Sequence, residues 1–199
     1  MKCVLGSGGH GQDIADIVKA AGADVTMHDD DPDRGKPLPD DFYFLIGIAN
    51  PQQRAARDRE WNDPGSAIHP SVIGHIAEAI TDAPGVVVGA GSTIGPNVML
   101  GRHTHIGAGC TLTRTTIGDY CQIAPGVDIA GDVTIGDRVF VGVGATIKNL
   151  VTIGDDAVIG AGAVVIHDVP AGATVAGVPA RVIHKRVIPG ERGPEWVRP

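Results

Sequence analysis

The sequence predicts a small N-terminal α/β domain followed by a long parallel β-helix of six-residue repeats. Three observations support this: many glycines with few aromatic residues, a strand–turn–helix pattern near the N-terminus, and aliphatic residues that recur every sixth position. The boundaries we assign are 1–62 for the α/β domain, 63–87 for a junction with an irregular first coil, 88–185 for the β-helix and 186–199 for a C-terminal tail.

Composition limits both the core and the partners. Apolar residues make up 43% of the 199 residues and aromatic residues only 4%, while 29 residues are glycine. Small and branched aliphatic side chains must therefore fill the core, which is typical of stacked, flat β-coils. The net charge of −7 argues against a nucleic-acid surface, because phosphate contacts need clustered Lys and Arg.

The cysteines and the N-terminus indicate the cellular compartment. Cys3, Cys110 and Cys121 are an odd number without tight spacing, which fits neither a disulfide framework nor a zinc site. The chain begins with a strand rather than an apolar signal core, and it lacks an apolar stretch long enough to cross a bilayer. We expect a cytoplasmic protein that does not insert into membranes.

The first domain alternates strands and helices. Apolar runs predict strands at 2–5, 24–28 and 42–48, and the glycine-rich turn 6–11 leads into a helix over 13–21 that Gly22 caps. A second helix is predicted over 51–61, with Arg54, Arg57 and Arg59 in solvent. These elements predict a small sheet of parallel strands.

The repeat is the strongest signal in the chain. A period of six fits neither a helix nor a flat strand, but it fits one short strand and one corner per repeat, with three repeats in each coil. Every step is six residues except the five-residue step from Leu112 to Ile117. The aliphatic positions are Val88, Ile94, Leu100, Ile106, Leu112, Ile117, Ile123, Ile129, Ile135, Val141, Ile147, Ile153, Ile159 and Val165.

The aliphatic residues are expected to point inward, and small or branched residues four positions later are expected to fill the corners beside them. Gly, together with Asn97, Asp119, Asp137 and Asp155, is expected to accommodate the tight corners. Cys110 and Cys121 fall on inward positions, which predicts buried packing rather than reactive thiols. The corner-filling residues are Ser92, Val98, Thr104, Cys110, Cys121, Val127, Val133, Val139, Ala145, Val151, Ala157 and Ala163.

Five segments beside the repeat carry a resemblance to a known family. They are GSGGHG in the first turn, HDDDP after the second strand, IGIAN after the third, IHPS at the junction and AGVPAR at the end. Over residues 1–186 the chain resembles the hexapeptide-repeat acyltransferases. Within them it resembles the sialic-acid O-acetyltransferase and nucleotide-amino-sugar N-acetyltransferase family. The resemblance implies a left-handed parallel β-helix, an exception to the usual right-handed crossover.

The resemblance makes residues 1–62 a substrate-binding domain for a sugar or nucleotide-linked sugar. Gly8, Gly9 and His10 would lie against the substrate, Asp29 or Asp30 would contact its base or ribose, and Asn50 would line the same pocket. Free N–H groups at a turn and helix N-terminus attract a pyrophosphate. A strand-to-helix turn without a ligand is the alternative interpretation.

The resemblance also implies a homotrimer with acetyl-CoA, as co-substrate, in the groove between neighbouring β-helices. The backbone contacts would fall on two coils, at Val143 and Gly144 and at Ala161 and Gly162, where small residues permit close approach. Arg181 and Lys185 could bind the phosphates or belong to a solvated basic tail. No metal is predicted, because His69, His75, His167 and His184 are scattered without acidic partners at ligand spacing.

The sequence departs from the family where the family keeps its histidines. The general base and the following acid correspond to Thr113 and Arg114, and a second histidine, which contacts the cofactor, corresponds to Gln122. Another histidine could act instead: the short repeat puts His105 one full coil from Gln122 and directly beside it, with His103 on the same strand, also pointing outward. Alternatively, catalysis needs no protein base, and a neutral amine attacks the thioester unaided. Gln122 would then orient the thioester, and Arg114 or Thr113 would orient the acceptor.

We therefore predict an acetyltransferase that uses acetyl-CoA to modify an amine or hydroxyl of a sugar or nucleotide sugar. The predicted catalytic residues are His105, Gln122 and Arg114, and Gln122 also contacts the cofactor. The alternative is a non-catalytic trimeric scaffold or binding subunit that retains the fold. A carbonic-anhydrase-like β-helix would need three zinc-binding histidines across an interface, which the histidine spacing does not suggest.

Overall fold

The N-terminal domain has the predicted order of elements. The computed structural model describes residues 2–5, 9–22, 25–28, 43–46, 50–58, 66–68, 70–79 and 83–185. The elements are β1 (Lys2–Leu5), α1 (Gly9–Ala20), β2 (Val25–His28), β3 (Tyr43–Ile46) and α2 (Pro51–Asp58). The three strands are parallel, with β1 in the centre. The predicted residues Gly8, Asp29 and Asp30 and the tail 186–199 lie outside the described residues.

Helix α1 buries one apolar face and ends as expected. Ile14 and Val18 are fully buried, and Ile17 is half-buried. Gly22, just after the helix, has a φ of 77°, and its N–H donates to the carbonyl of Lys19 at 2.9 Å. Glycine adopts this left-handed conformation without the steric cost of a Cβ, so it stops the helix here.

From residue 67 to residue 176 the described chain forms a left-handed parallel β-helix, which confirms the predicted fold, and the last strand, Arg181–Lys185, pairs antiparallel at its end. Its three faces are sheets of eight, six and four strands. The strands are β4 (Ala67–Ile68), β5 (Ile73–Gly74), β6 (Val87–Val88), β7 (Thr93–Ile94), β8 (Met99–Leu100), β9 (His105–Ile106), β10 (Thr111–Leu112), β11 (Thr115–Ile117), β12 (Gln122–Ile123), β13 (Asp128–Ile129), β14 (Val133–Ile135), β15 (Phe140–Val141), β16 (Thr146–Ile147), β17 (Thr152–Ile153), β18 (Val158–Ile159), β19 (Val164–Val165), β20 (Ala173–Ala176) and β21 (Arg181–Lys185).

The repeat fills the core as predicted. Every aliphatic residue at the six-residue positions is buried, and so are the small residues that fill the corners, including Cys110 and Cys121. Burying one aliphatic side chain contributes about 1.5–3 kcal/mol. Because each coil repeats this contribution, the stack needs almost no aromatic residues.

Coil pairing begins before the regular repeat. Strand β4 pairs in parallel with β6, and β5 pairs with β7. The short helix α3 (Ile76–Ala79) follows β5 and buries Ala79 in the core. Within the stretch 63–87, where the sequence predicts a junction and an irregular first coil, paired strands therefore begin at Ala67. The described helices include none that combines the length and apolar character needed to cross a membrane.

Corner residues of successive coils stack in columns. One column, which we call the glycine corner, consists of glycines with φ between 64° and 70°. Each N–H from the second glycine onward donates to a carbonyl one coil back, as from Gly144 to Pro125 at 3.0 Å. Positive φ favours glycine here, since other residues pay a steric cost. The glycine corner comprises Gly91, Gly109, Gly126, Gly144 and Gly162.

The four polar residues predicted at tight corners do not all act in the same way. Asn97 has the expected positive φ of 56°. Asp119, Asp137 and Asp155 instead accept hydrogen bonds from the preceding coil: the N–H of Asp119 donates to Asp137 Oδ1 at 2.9 Å, and that of Asp137 to Asp155 Oδ1 at 3.0 Å. The residue after each aspartate takes the left-handed conformation.

Candidate active site

His105 and Gln122 are neighbours on one face of the coil. Strands β9 and β12 pair in parallel, and His105 lies opposite Gln122 in that register. The predicted separation of one coil is therefore confirmed, and the five-residue step from Leu112 to Ile117 does produce it. Both residues occupy positions that point away from the core, because the next residue on each strand, Ile106 or Ile123, points inward.

A cavity of about 380 Å³ lies between α1 and this face. Helix α1 contributes four residues to one wall, and His105 and Gln122 belong to the opposite wall with residues that precede the glycine corner. The helix residues are Asp13, Ile14, Asp16 and Ile17, and the corner residues are Ala90, Ala108 and Pro125.

The two polar side chains are shielded from solvent. His105 is 1% exposed and Gln122 is 5% exposed. The sequence predicts that both side chains point outward, into the groove along the coil. In the structure the N-terminal domain covers this part of the groove. Low exposure strengthens electrostatic interactions, because less water competes with them. Catalytic roles for these two residues stay predictions.

Arg54 is the residue that sequence reasoning missed. It was expected in solvent, but it is fully buried where α2 meets the coil. Its Nη1 donates to the carbonyls of His103 at 2.7 Å and Cys121 at 3.1 Å, and its Nη2 donates to Gln122 Oε1 at 2.6 Å. Burial lowers the pKa of Arg54 to about 9, so the guanidinium stays charged near neutral pH.

Gln52 adds a second contact between α2 and the coil. Its Nε2 lies 3.4 Å from the carbonyl of Arg138 and 3.4 Å from Asp156 Oδ1. Arg138 and Asp156 form an ion pair, with Nε and Oδ1 3.0 Å apart. The α2 helix therefore docks on the corner column that contains His103, Tyr120, Arg138 and Asp156.

His103 does not lie where the sequence predicts. It was expected on the strand of His105, pointing outward, but it sits in a corner with a φ of 52° and is fully buried. Its ring stacks on Tyr120, with centroids 5.8 Å apart, and lies against Gly85. Its carbonyl, rather than its imidazole, meets Arg54. The left-handed corner turns the side chain away from the column of His105.

Arg114 lies outside the cavity wall. Its Nε and Nη2 donate to Asp132 Oδ1 and Oδ2 at 3.1 and 3.2 Å. It occupies a corner with a φ of 44°, and Thr113 precedes it. Within the part of the chain that is described, the structure does not bring Arg114 together with His105 and Gln122. A bidentate ion pair at this corner orients the guanidinium toward Asp132.

The predicted cofactor contacts lie on an exposed edge. Val143, Gly144, Ala161 and Gly162 are exposed, and a Cβ on either glycine would meet nothing within 4 Å. Both glycines continue the glycine corner beyond the cavity, since Gly126 precedes Gly144 by one coil. The open backbone there has room for an extended ligand.

The basic residues near the end belong to a strand. β21 pairs antiparallel with β20 and contains Arg181 and Lys185 at its two ends. Arg181 is exposed and donates to the carbonyl of Ala180 at 2.9 Å. The side chain of Lys185 lies outside the described part. Phosphate binding by this pair stays a prediction.

The predicted substrate residues are only partly described. Gly9 and His10 begin α1, so the N–H groups of this helix end lie beside the turn predicted to bind a pyrophosphate. Asn50 is exposed and its Oδ1 accepts a hydrogen bond from the N–H of Gln53 at 2.9 Å. This side chain therefore caps α2, and its amide nitrogen points to no acceptor that the structure describes.

No group of three or more His, Cys, Asp or Glu side chains that could hold a metal ion occurs among the residues described by the structure. Cys110 and Cys121 instead donate their S–H groups to carbonyls of the next coil, at 3.2 and 3.0 Å. Burial raises the pKa of Cys121 to about 12. Neither thiol lines the cavity.

Comparisons with known proteins agree with the repeat. The family described as bacterial transferase hexapeptide (six repeats) matches residues 83–114 and 114–149. No curated protein sequence matches the chain significantly.

Solved structures match nearly the whole chain. PerB from Caulobacter crescentus, in complex with CoA and GDP-perosamine, is 28% identical with a TM-score of 0.75, covering 92% of this chain and 97% of PerB. The acetyltransferase domain of PglB from Neisseria gonorrhoeae is 25% identical with a TM-score of 0.73, covering 92% and 98%. WeeI from Acinetobacter baumannii is 23% identical with a TM-score of 0.53, covering 92% of this chain and 99% of WeeI. At this identity the match shows a likeness of fold alone.

The hexapeptide repeats and these matches identify the chain as an acetyltransferase. The resemblance to the narrower group of sugar acetyltransferases is confirmed as well, since PerB and the PglB domain each match 92% of this chain.

Proposed function

We propose that this chain transfers an acetyl group from acetyl-CoA to the amine of a nucleotide-linked sugar, in the cavity between α1 and the coil. One observation carries the proposal: the wall that contains His105 and Gln122 also contains Ala90, Ala108 and Pro125, each of which directly precedes a residue of the glycine corner. The cavity and the predicted cofactor track therefore share one column of corners.

The geometry of this column suits the donor. Gly144 lies one coil beyond Gly126, and Gly162 lies two coils beyond it. Since neighbouring strands are about 4.8 Å apart, the three corners form a short, regularly spaced track. An extended pantetheine arm can follow these corners because no Cβ obstructs the backbone at Gly144 and Gly162. A thioester that reaches the corner at Pro125 would enter the cavity beside Gln122. Arg181, and Lys185 at the far end of β21, are the proposed phosphate contacts.

The cavity wall favours an amine over a hydroxyl acceptor. Asp13 and Asp16 of α1 line it, and their carboxylates attract an ammonium group. The amine must lose a proton before or during attack, and His105 is the proposed base. PerB was crystallised with CoA and GDP-perosamine, which makes a nucleotide amino sugar a reasonable acceptor class. Gly9 and His10, with the undescribed Gly8, Asp29 and Asp30, and the Asn50 amide nitrogen are proposed to hold the nucleotide.

We propose that Gln122 orients the thioester of acetyl-CoA. Arg114, which the sequence predicts as a catalytic residue, has no part in the cavity that we propose as the site. The Arg114 corner lies outside this cavity, so a role for Arg114 would require a neighbouring subunit to bring the acceptor to it. We propose a homotrimer in which the neighbouring β-helix completes the groove along Val143 and Ala161. We also propose a cytoplasmic location, where acetyl-CoA is available.

A binding subunit without transfer activity is the second candidate. The observation that favours it is the absence of imidazole at Thr113 and Gln122. An acetyl-CoA thermal-shift titration, with 3′-AMP as a control for nucleotide contacts alone, tests the donor groove. Acetyl-CoA at 100 times its Kd should add about 2.7 kcal/mol of stability. No increase of the melting temperature at millimolar acetyl-CoA would overturn the proposed transferase.

A further inference from the structure

The Arg54–Gln122 contact fixes which end of the Gln122 amide faces the cavity. A guanidinium has only donors, so the group at 2.6 Å from Nη2 must be the amide oxygen. The Nε2 group therefore points away from Arg54. Among the described residues none accepts a hydrogen bond from Nε2, although the residue is 95% buried and lines the cavity.

Burial of Arg54 makes this orientation rigid. The guanidinium is held at three points, by the carbonyls of His103 and Cys121 and by the amide of Gln122. A charge-assisted hydrogen bond is roughly twice as strong as a neutral one, so rotating the amide by 180° is costly. The buried positive charge also polarises the amide, which strengthens its N–H groups as donors.

We propose that Gln122 Nε2 donates a hydrogen bond to the thioester carbonyl oxygen of the donor, and that Arg54 is the positioning residue that makes it a donor. This inference rests on the proposed function. It replaces, in this chain, an imidazole donor with a guanidinium-oriented amide, and it gives the N-terminal domain a part in the chemistry as well as in acceptor binding.

The group transfer defines when the hydrogen bond matters most. The amine nitrogen forms a bond to the carbonyl carbon, and the carbonyl π electron pair moves onto oxygen. That pair then returns, the carbon–sulfur bond breaks, and the CoA thiolate leaves. The proton lost by the amine passes to His105 and then to the thiolate. Negative charge develops on the carbonyl oxygen during attack, so a preorganised donor lowers the barrier; removing one such donor typically costs about 10²–10³-fold in kcat.

The test uses ¹³C-carbonyl acetyl-CoA bound to the full chain without acceptor, with affinity from calorimetry and the carbonyl stretch from isotope-edited infrared spectra. In the wild type the stretch should shift to lower frequency than in water. Gln122→Glu keeps an oxygen for Arg54 but removes both N–H donors, so the shift should be lost with little change in Kd. Arg54→Met should reduce the shift, and should have no further effect in a Gln122→Ala background.

Gln52→Met is the matched control, because it weakens the docking of the same helix without touching Gln122. It should keep the wild-type shift. Failure of the wild type to bind acetyl-CoA would overturn the proposed function and this inference with it. Binding with the same carbonyl frequency in wild type and Gln122→Glu would overturn only the role of Gln122. A normal shift in folded Arg54→Met would overturn the positioning role of Arg54.

Discussion

Arg54 Nη2 lies 2.6 Å from Gln122 Oε1, and this contact joins α2 of the N-terminal domain to a residue of the cavity wall in the coil. The two residues are 68 positions apart in the chain. The repeat singles out Gln122, but the helix pattern alone assigns Arg54 to solvent, so the sequence does not predict this contact. The contact makes the geometry of the proposed site depend on how the two domains dock.

The docking contact should contribute to stability. Arg54→Ala removes the donor for two carbonyls and one amide oxygen and leaves a void, so we expect a loss of about 3 kcal/mol or more. Urea unfolding at fixed protein concentration measures this. Gln53→Ala on the exposed side of α2 is the control and should change stability little. An Arg54→Ala chain as stable as wild type would show that the buried guanidinium is not needed for docking.

His105 should carry the proton-transfer step. His105→Ala should lower kcat by about 10²–10⁴-fold, because a positioned base contributes that much, and added imidazole should restore part of the rate. The control is His167→Ala, since His167 is exposed and lies outside the cavity wall. If His105→Ala keeps the full rate across the pH range, the amine attacks without this base.

Gly144 should control access of the donor to the coil. Gly144→Asn tolerates the φ of 66° but fills the open space, so acetyl-CoA affinity should fall about tenfold, or about 1.4 kcal/mol. Gly91→Asn is the matched control: it has a φ of 68° in the same column, and a Cβ there also meets nothing within 4 Å. Equal losses in the two variants, measured by calorimetry, would place the donor elsewhere.

The aspartate ladder should stabilise the coil through its acceptor oxygen rather than its charge. Asp137→Ala leaves the N–H of Asp119 without its 2.9 Å acceptor and should cost about 1 kcal/mol, since the side chain is 43% exposed. Asp137→Asn keeps an acceptor and should cost less. Asp128→Ala, on an exposed strand position, is the control. Melting temperatures that fall equally for the Ala and Asn variants would point to charge instead.

The two core thiols should be unreactive in the folded chain. Burial raises the pKa of Cys121 to about 12 and also raises that of Cys110, so both stay protonated at pH 8, where unfolded thiols begin to ionise. In a Cys3→Ser background, Ellman's reagent should label neither thiol before denaturant is added and both afterwards. Rapid labelling of the native chain would mean that the coil opens locally.

The sequence alone predicts the structure of the coil, but it does not predict how the two domains dock. Local periodicity decides which residues point inward, so Ile106, Ile123 and the one-coil spacing of His105 and Gln122 could be derived by counting. The partners of Arg54 and His103 depend on long-range contacts and on a left-handed corner, which no local pattern encodes. A charged residue on a short helix is usually exposed, and Arg54 is the exception because three acceptors meet it inside.

The central claim is acetyl transfer, and the most direct measurement is mass spectrometry of nucleotide-linked amino sugars, GDP-perosamine among them, incubated with the chain and acetyl-CoA. We predict one product that gains a single acetyl group, survives mild alkali as an amide does, and forms far more slowly with His105→Ala. Binding of acetyl-CoA without acetylation of any amino sugar in the panel would contradict the claim and favour the binding subunit.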